Sequence, residues 1–261
     1  MTTTSNRHDP GTGPTNAHSA ATATADDPVE GLVNLRDAGA LKGAAARLVR
    51  SGVLYRSDAP LPGDPTPHGL EWPPGTVLDL RDPRERGEGP HPSKASGTHV
   101  EQLPMAGSLA PDTVVRLHAA QVTLPELYDG LLDAASDWLP TLLRVAAQHR
   151  GPLLVHCAAG KDRTGVAVAV LLAVAAVPQD AITADYLTTN DVLPALEHRM
   201  RTAHPHRPDV PAHLLDAPRE AIGTVLDRLG PDPAGWCHAR GVDPGHIVRW
   251  QRRIWPEHHW W

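Results

Sequence analysis

The chain has 261 residues, 41% of them hydrophobic, enough apolar surface for a sizeable core in one large domain or two small ones. A formal net charge of −6, from 24 Lys and Arg against 30 Asp and Glu, supplies no broad basic field, which argues against nucleic acid or an anionic membrane surface as partner. Two cysteines, Cys157 and Cys237, are too few for a disulfide framework and suit free thiols in a reducing, cytoplasmic compartment.

Residues 1–28 are rich in Thr, Ser, Ala, Gly, Pro and Asp without periodicity, so they are expected to be a disordered tail. No basic start followed by an apolar run marks a secretory signal there, and export by another route stays open. The folded domain is expected over residues 29–255, with a short tail at 256–261. Residues 32–37 and 48–57 read as short strands separated by a glycine-containing turn. After a Pro-rich stretch, residues 76–80 form an apolar run that fits a buried strand, and the charged stretch 81–88 reads as a solvated loop or helix start. A weaker strand is expected over 98–103.

Residues 124–147 carry apolar residues at helical spacing, with Pro140 expected to kink or divide the helix. Residues 152–156 are a further apolar strand, and 164–176 are apolar on nearly every face, as in a helix buried in a core. The longest apolar run, 166–177, is about half of the roughly 20 residues needed to span a membrane. Five helical patterns follow, at 179–189, 193–203, 211–229, 233–240 and 243–254, with Trp236, Trp250 and Trp255 as core candidates. Strands interleaved with helices and then a helical C-terminal part predict an α/β domain with a small, mostly parallel central sheet flanked by helices.

The chemistry concentrates where the strand at 152–156 meets the helix at 164–176, in the loop His156-Cys157-Ala158-Ala159-Gly160-Lys161-Asp162-Arg163-Thr164-Gly165. Backbone N–H groups of Ala158, Ala159, Gly160, Lys161, Asp162 and Arg163 can curl round a phosphate at a helix N-terminus. That position and a neighbouring cation favour thiolate over thiol, the form in which cysteine is a nucleophile. Arg163 can hold two phosphoryl oxygens in a bidentate fork. Thr164 can cap the helix and turn its hydroxyl toward the Cys157 sulfur. The scattered histidines, 16 in all, lack a cysteine or carboxylate set at ligand spacing, so neither metal nor organic cofactor is expected.

At this point the sequence resembles bacterial protein tyrosine phosphatases carrying the loop H-C-x-x-G-K-D-R-T-G, a family similar to mycobacterial protein tyrosine phosphatase B. The resemblance extends to residues 34–37, 50–57, 77–81 and 184–191 in the same order, and so covers about residues 29–255. It implies a cysteine-phosphatase-like fold, Cys157 as nucleophile and Arg163 as phosphate clamp. It also implies phosphorylated protein as substrate, with phosphoserine, phosphothreonine or phosphoinositides added in relatives that share the loop lysine and aspartate, here Lys161 and Asp162.

Two carboxylates can supply the proton for the leaving oxygen: Asp162 inside the loop, favoured by proximity, and Asp79 at the end of a parallel strand. The Trp-Pro-Asp motif of animal tyrosine phosphatases is absent, since Trp72-Pro73-Pro74 lacks the carboxylate. Asp37, Arg36 and Arg56 are expected to form a buried salt-bridge set under the loop, and His156 to brace the loop through ring hydrogen bonds to its backbone. The alternative is a noncatalytic module that binds phosphorylated ligands through the same loop.

Overall fold

The computed structural model describes Met1 and residues 31–39, 49–105, 121–203 and 214–255. The expected disorder of 1–28, the tail at 256–261, part of the loop before the helix at 124 and the start of the helical pattern at 211 lie outside the described residues. Five short strands form one sheet: β1 (Arg36–Asp37), β2 (Leu54–Ser57), β3 (Thr76–Asp79), β4 (His99–Gln102) and β5 (Leu153–His156), in the order β1-β2-β5-β3-β4. All neighbours are parallel except β1, which runs antiparallel to β2. β2, β3 and β5 are buried along their whole length, as a parallel sheet covered on both faces requires, while β4 at the edge is half exposed.

The register aligns Ser57, His156 and Asp79, with Gln102 beside Asp79, at the C-terminal ends of the parallel strands. The residues that follow therefore leave the sheet into one crevice. β1 is much shorter than the expected strand at its start, where Val33 N and Asn34 N donate to Asp58 Oδ1 (2.9 and 2.8 Å) rather than to a neighbouring strand; at its end Asp37 turns the chain, its two carboxylate oxygens accepting from Gly39 N and Gly52 N at 2.7 Å each.

The helices are α1 (Leu124–Asp133), α2 (Ala135–Gln148), α3 (Asp162–Val174), α4 (Gln179–Leu187), α5 (Leu193–Ala203), α6 (Arg219–Leu229), α7 (Pro233–His238) and α8 (Pro244–Ile254). α3 is buried on every side and packs against α1, α4, α6 and α7. Carbonyls at its C-terminal end, where intrahelical partners run out, take donors from α8 and the residue after it: Trp250 Nε1 adds a second donor to Leu171 O (2.8 Å) beside Ala175 N (3.2 Å), Gln251 Nε2 donates to Val174 O (2.8 Å) and Trp255 Nε1 to Ala175 O (2.7 Å).

The helical pattern at 124–147 is divided, but at Ala134 rather than at Pro140, which lies inside α2. A proline six residues into a helix removes one backbone bond, and burial of Trp138, Leu139, Leu142 and Leu143 holds the helix across it. Trp138 Nε1 bridges the joint by donating to Leu131 O at 3.0 Å. No helix among the described residues is long and apolar enough to cross a membrane.

Candidate active site

β5 ends at His156, and the chain then turns through residues 157–161 into α3. Each successive carbonyl of this turn is held by a donor: Cys157 O by His156 Nδ1 (2.9 Å), Ala158 O by Ala59 N (2.9 Å), Ala159 O by Asn34 Nδ2 (2.9 Å), Gly160 O by Arg56 Nη2 (2.8 Å) and Lys161 O by Gly165 N (2.7 Å). With the carbonyls fixed in this way, the backbone N–H groups are left to line the concave side together with the unpartnered N–H groups of the first turn of α3. Gly160 sits at φ +69°, and a Cβ there would lie 2.3 Å from Ser57 O, so only glycine lets the loop pack against the end of β2.

Cys157 lies at the base of the loop, 1% exposed. Arg163 is equally buried and forks onto Glu85, Nη1 to Oε2 at 2.5 Å and Nη2 to Oε1 at 2.7 Å, with Nη1 also 3.3 Å from Leu80 O. Burial opposes the charge of Arg163, but the Glu85 bonds outweigh it and hold the guanidinium cationic. Two buried polar atoms at the loop have no hydrogen-bond partner among the described residues, Arg163 Nε and Thr164 Oγ1. Thr164 therefore neither bonds the Cys157 sulfur nor caps the helix. It is the third residue of α3, whose N-cap is Lys161.

The Lys161 ammonium places its donors on Leu214 O (2.7 Å), Asp216 O (3.0 Å) and Asp162 Oδ1 (2.9 Å), which leaves the backbone N–H as its contribution to an anion site.

The two candidate acids differ sharply. Asp79 is 1% exposed and both oxygens are taken by Arg81: Oδ1 accepts from Arg81 N (3.1 Å) and Nε (2.9 Å), Oδ2 from Nη2 (2.9 Å). Burial works against its ionisation, yet His156 and Arg81 outweigh burial and hold the carboxyl well below the usual range, so Asp79 keeps no proton to give. Asp162 Oδ1 accepts from Tyr128 OH (2.8 Å) and Lys161 Nζ (2.9 Å), and no partner of Oδ2 is found among the described residues. Burial, and after it the neighbouring Asp162, pushes the Tyr128 hydroxyl far up, so it remains a donor. Tyr186 OH, 2.7 Å from Tyr128 OH, extends the same chain.

The salt-bridge set beneath the loop is built on Asp185, not Asp37. Arg56 Nη1 reaches Asp185 Oδ2 at 2.5 Å and Arg36 Nε reaches Oδ1 at 2.8 Å, while Asp37 only holds the turn after β1. Burial disfavours ionised Asp185, but Arg56 and Arg36 outweigh it and keep the carboxyl below its usual range.

Asp79, His91 and His156 bring three donor atoms within 4.8 Å of one another, the one such group among the described residues. Ser93 N donates to His91 Nδ1 at 3.2 Å, which puts the proton of a neutral His91 on Nε2, and Arg81 occupies Asp79. The set is thus committed to hydrogen bonding, and a cation would have to displace both a proton and an arginine.

The sequence pattern of the tyrosine phosphatase family matches residues 27–254. The chain belongs to that family. Among curated relatives, a Cupriavidus necator protein assigned as a tyrosine-protein phosphatase is 36% identical over 177 residues, 61% of this chain and 61% of that protein. The triple specificity protein phosphatase PtpB of Mycobacterium tuberculosis is 51% identical over 49 residues, 19% of this chain and 18% of that protein. A tyrosine-protein phosphatase of Nostoc commune is 41% identical over 66 residues, 22% of each. The chain thus spans about three fifths of the first relative's length and less than a quarter of the other two.

In this member of the tyrosine phosphatase family, sequence reasoning missed Glu85, Asn34, Asp185, His91 and Tyr128. Glu85 and Arg81 were expected in a solvated loop, yet they are 2% and 7% exposed. A readable signal existed, the capping box in which Asp82 accepts from Arg84 N while Glu85 accepts from Asp82 N. Asn34 and Asp185 lie in segments that carry the family resemblance without a role attached, nothing local marks His91 and Tyr128, and all four are far from the loop in sequence.

Proposed function

We propose that the chain is a phosphomonoesterase of phosphotyrosine-bearing protein that works through a phosphocysteine intermediate at Cys157. The observation that carries this reading is the orphaned Nε of buried Arg163 beside a turn whose carbonyls from 157 to 161 are all bonded elsewhere. Buried donors without partners are rare in folded proteins, and an oxyanion satisfies them together.

The Cys157 sulfur attacks phosphorus, the S–P bond forms as the P–O bond breaks, and the leaving oxygen takes the proton from Asp162 Oδ2. Water then attacks phosphorus, its proton passes to the Asp162 carboxylate, and the S–P bond breaks to return the thiolate. Loop N–H groups and Arg163, held in place by Glu85, follow the phosphoryl oxygens through both transition states. Asp79 serves by ordering Arg81 under the crevice. The relative named a triple specificity phosphatase supports testing phosphoserine, phosphothreonine and phosphoinositides as further substrates.

Hydrolysis of para-nitrophenyl phosphate in the presence of chelator tests the activity. Unchanged turnover in Cys157→Ser sinks the mechanism, and phosphate-ester binding without phosphate release makes the chain a binding module instead. Asp162→Asn should lose most rate on substrates with the poorest leaving groups, a dependence that Asp79→Asn lacks.

A further inference from the structure

We propose that His91 is a positioning residue of the phosphate loop, fixing His156 in the one neutral tautomer that can hold the Cys157 carbonyl. Partners decide each ring proton in turn. Cys157 O only accepts, so His156 Nδ1, 2.9 Å away, carries a proton. Ser93 N–H donates to His91 Nδ1 at 3.2 Å, so that nitrogen is bare and a neutral His91 carries its proton on Nε2. The two Nε2 atoms are 3.0 Å apart, and their bond then runs one way, from His91 to His156. The result is a directed chain from Ser93 N–H through two buried imidazoles to the carbonyl of the nucleophile.

His91 lies just before the short helical turn Pro92–Ser96, in the connection from β3 to β4, so it ties that connection to the base of the loop. His156 is fully buried and His91 is 8% exposed; burial first, with Arg81 beside both rings, Lys94 near His91 and Arg163 near His156, keeps both neutral against the carboxylate of Asp79. Without the His91 donor, His156 Nε2 is left bare in the interior. Its other tautomer would satisfy Nε2 but turn a lone pair of Nδ1 on Cys157 O. Either outcome loosens the first of the outward carbonyl contacts that shape the anion site. Resting on the phosphomonoesterase reading, this raises KM and weakens product phosphate in parallel, because the loop N–H groups bind ground state and transition state alike.

His91 also caps the Pro92–Ser96 turn, and two variants separate the roles. His91→Asn keeps a short acceptor for Ser93 N but does not reach His156. His91→Gln reaches His156 with an N–H. Inorganic phosphate affinity by calorimetry, and KM and kcat for para-nitrophenyl phosphate, are measured on the full chain below its melting transition. We expect His91→Asn to weaken phosphate and raise KM by about fivefold, the size of one net hydrogen bond, with kcat less affected. His91→Gln should stay near wild type. Wild-type phosphate affinity in His91→Asn, or equal loss in both variants, overturns the proposal. In wild-type protein labelled with 15N-histidine, the side-chain spectrum should show one buried ring protonated on Nδ1 and one on Nε2. Both rings on the same tautomer, or either doubly protonated at neutral pH, also overturns it. Phosphate binding that follows this pattern in a chain without turnover counts against the enzyme reading alone.

Discussion

Replacing Glu85 by alanine removes the acceptor that holds both terminal nitrogens of Arg163, at 2.5 and 2.7 Å, and also accepts from Asp82 N at 2.8 Å. Both side chains are essentially without solvent, so the variant leaves a guanidinium buried with Leu80 O as its remaining contact in this set, 3.3 Å away. Breaking a buried pair on one side costs about 3–5 kcal/mol. Some of that should appear as lost stability and some as displacement of Arg163 from the loop. A displaced Arg163 forfeits a charge-assisted contact to phosphate worth about 1.5–3 kcal/mol, which is on the order of ten- to a hundredfold in affinity. Urea unfolding measures the first part and calorimetry with inorganic phosphate the second. Glu85→Gln keeps the shape and one acceptor oxygen and should fall between alanine and wild type. If Glu85→Ala binds phosphate as tightly as wild type while fully folded, Glu85 does not position the clamp.

Gly160→Ala puts a Cβ 2.3 Å from Ser57 O at φ +69°. The left-handed backbone costs about 1–2 kcal/mol and the clash forces the loop off β2, so kcat/KM should fall at least about tenfold, and unchanged kinetics would refute the packing argument. Trp250→Phe keeps the buried ring but removes one of two donors to Leu171 O, which still accepts from Ala175 N at 3.2 Å, so stability should fall by only about 0.5–1.5 kcal/mol in urea with kcat unchanged. Stability should also respond to pH through the imidazoles. Burial, the largest cause in each, lowers His91 to about 4 and pushes His156 and the partly exposed His149 down as well, while free histidine titrates near 6.5. Below about 6.5 the unfolded chain binds protons that the fold does not, so the urea midpoint should be flat between about 6.5 and 8 and fall beneath that window. His91→Asn should make the limb between 6.5 and 4 shallower. The low-lying carboxyls of Asp79 and Asp185 act only lower, near 3.8 and below.

Much of the fold was legible because local pattern and tertiary burial agree. The apolar runs at 76–80 and 152–156 became β3 and β5, and α3 reads as buried on every face because it is. Pro140 misled because a single lost backbone bond is a small penalty beside the burial of Trp138 and its neighbours in α2. The charged stretch after β3 misled for the opposite reason. Charge density suggests solvent, but Arg81 and Glu85 each have a buried counter-charge, in Asp79 and Arg163.

The loop's own residues could be named from sequence because Cys157, Gly160 and Arg163 lie within a few positions of one another. Of what shapes the loop, His156 and Arg56 could be named as supports but Asn34 and the backbone of Ala59 could not, since the outward carbonyls are held from different distances along the chain: Arg56 is 104 residues from Gly160 and Asn34 is 125 from Ala159. The same separation explains the salt-bridge misassignment. Asp37 is a near neighbour of Arg36 in sequence, but in the register of β1 and β2 it faces Tyr55, while Arg36 faces Arg56, and the two guanidinium groups share Asp185 on α4. Two adjacent cations need one buried anion between them, and only the sheet pairing reveals that both are there to be neutralised. The two candidate acids part by the same logic: Asp79 and Asp162 are indistinguishable as letters, and Asp79 is engaged by the arginine two residues after it only because the turn after β3 folds that arginine back onto its carboxylate.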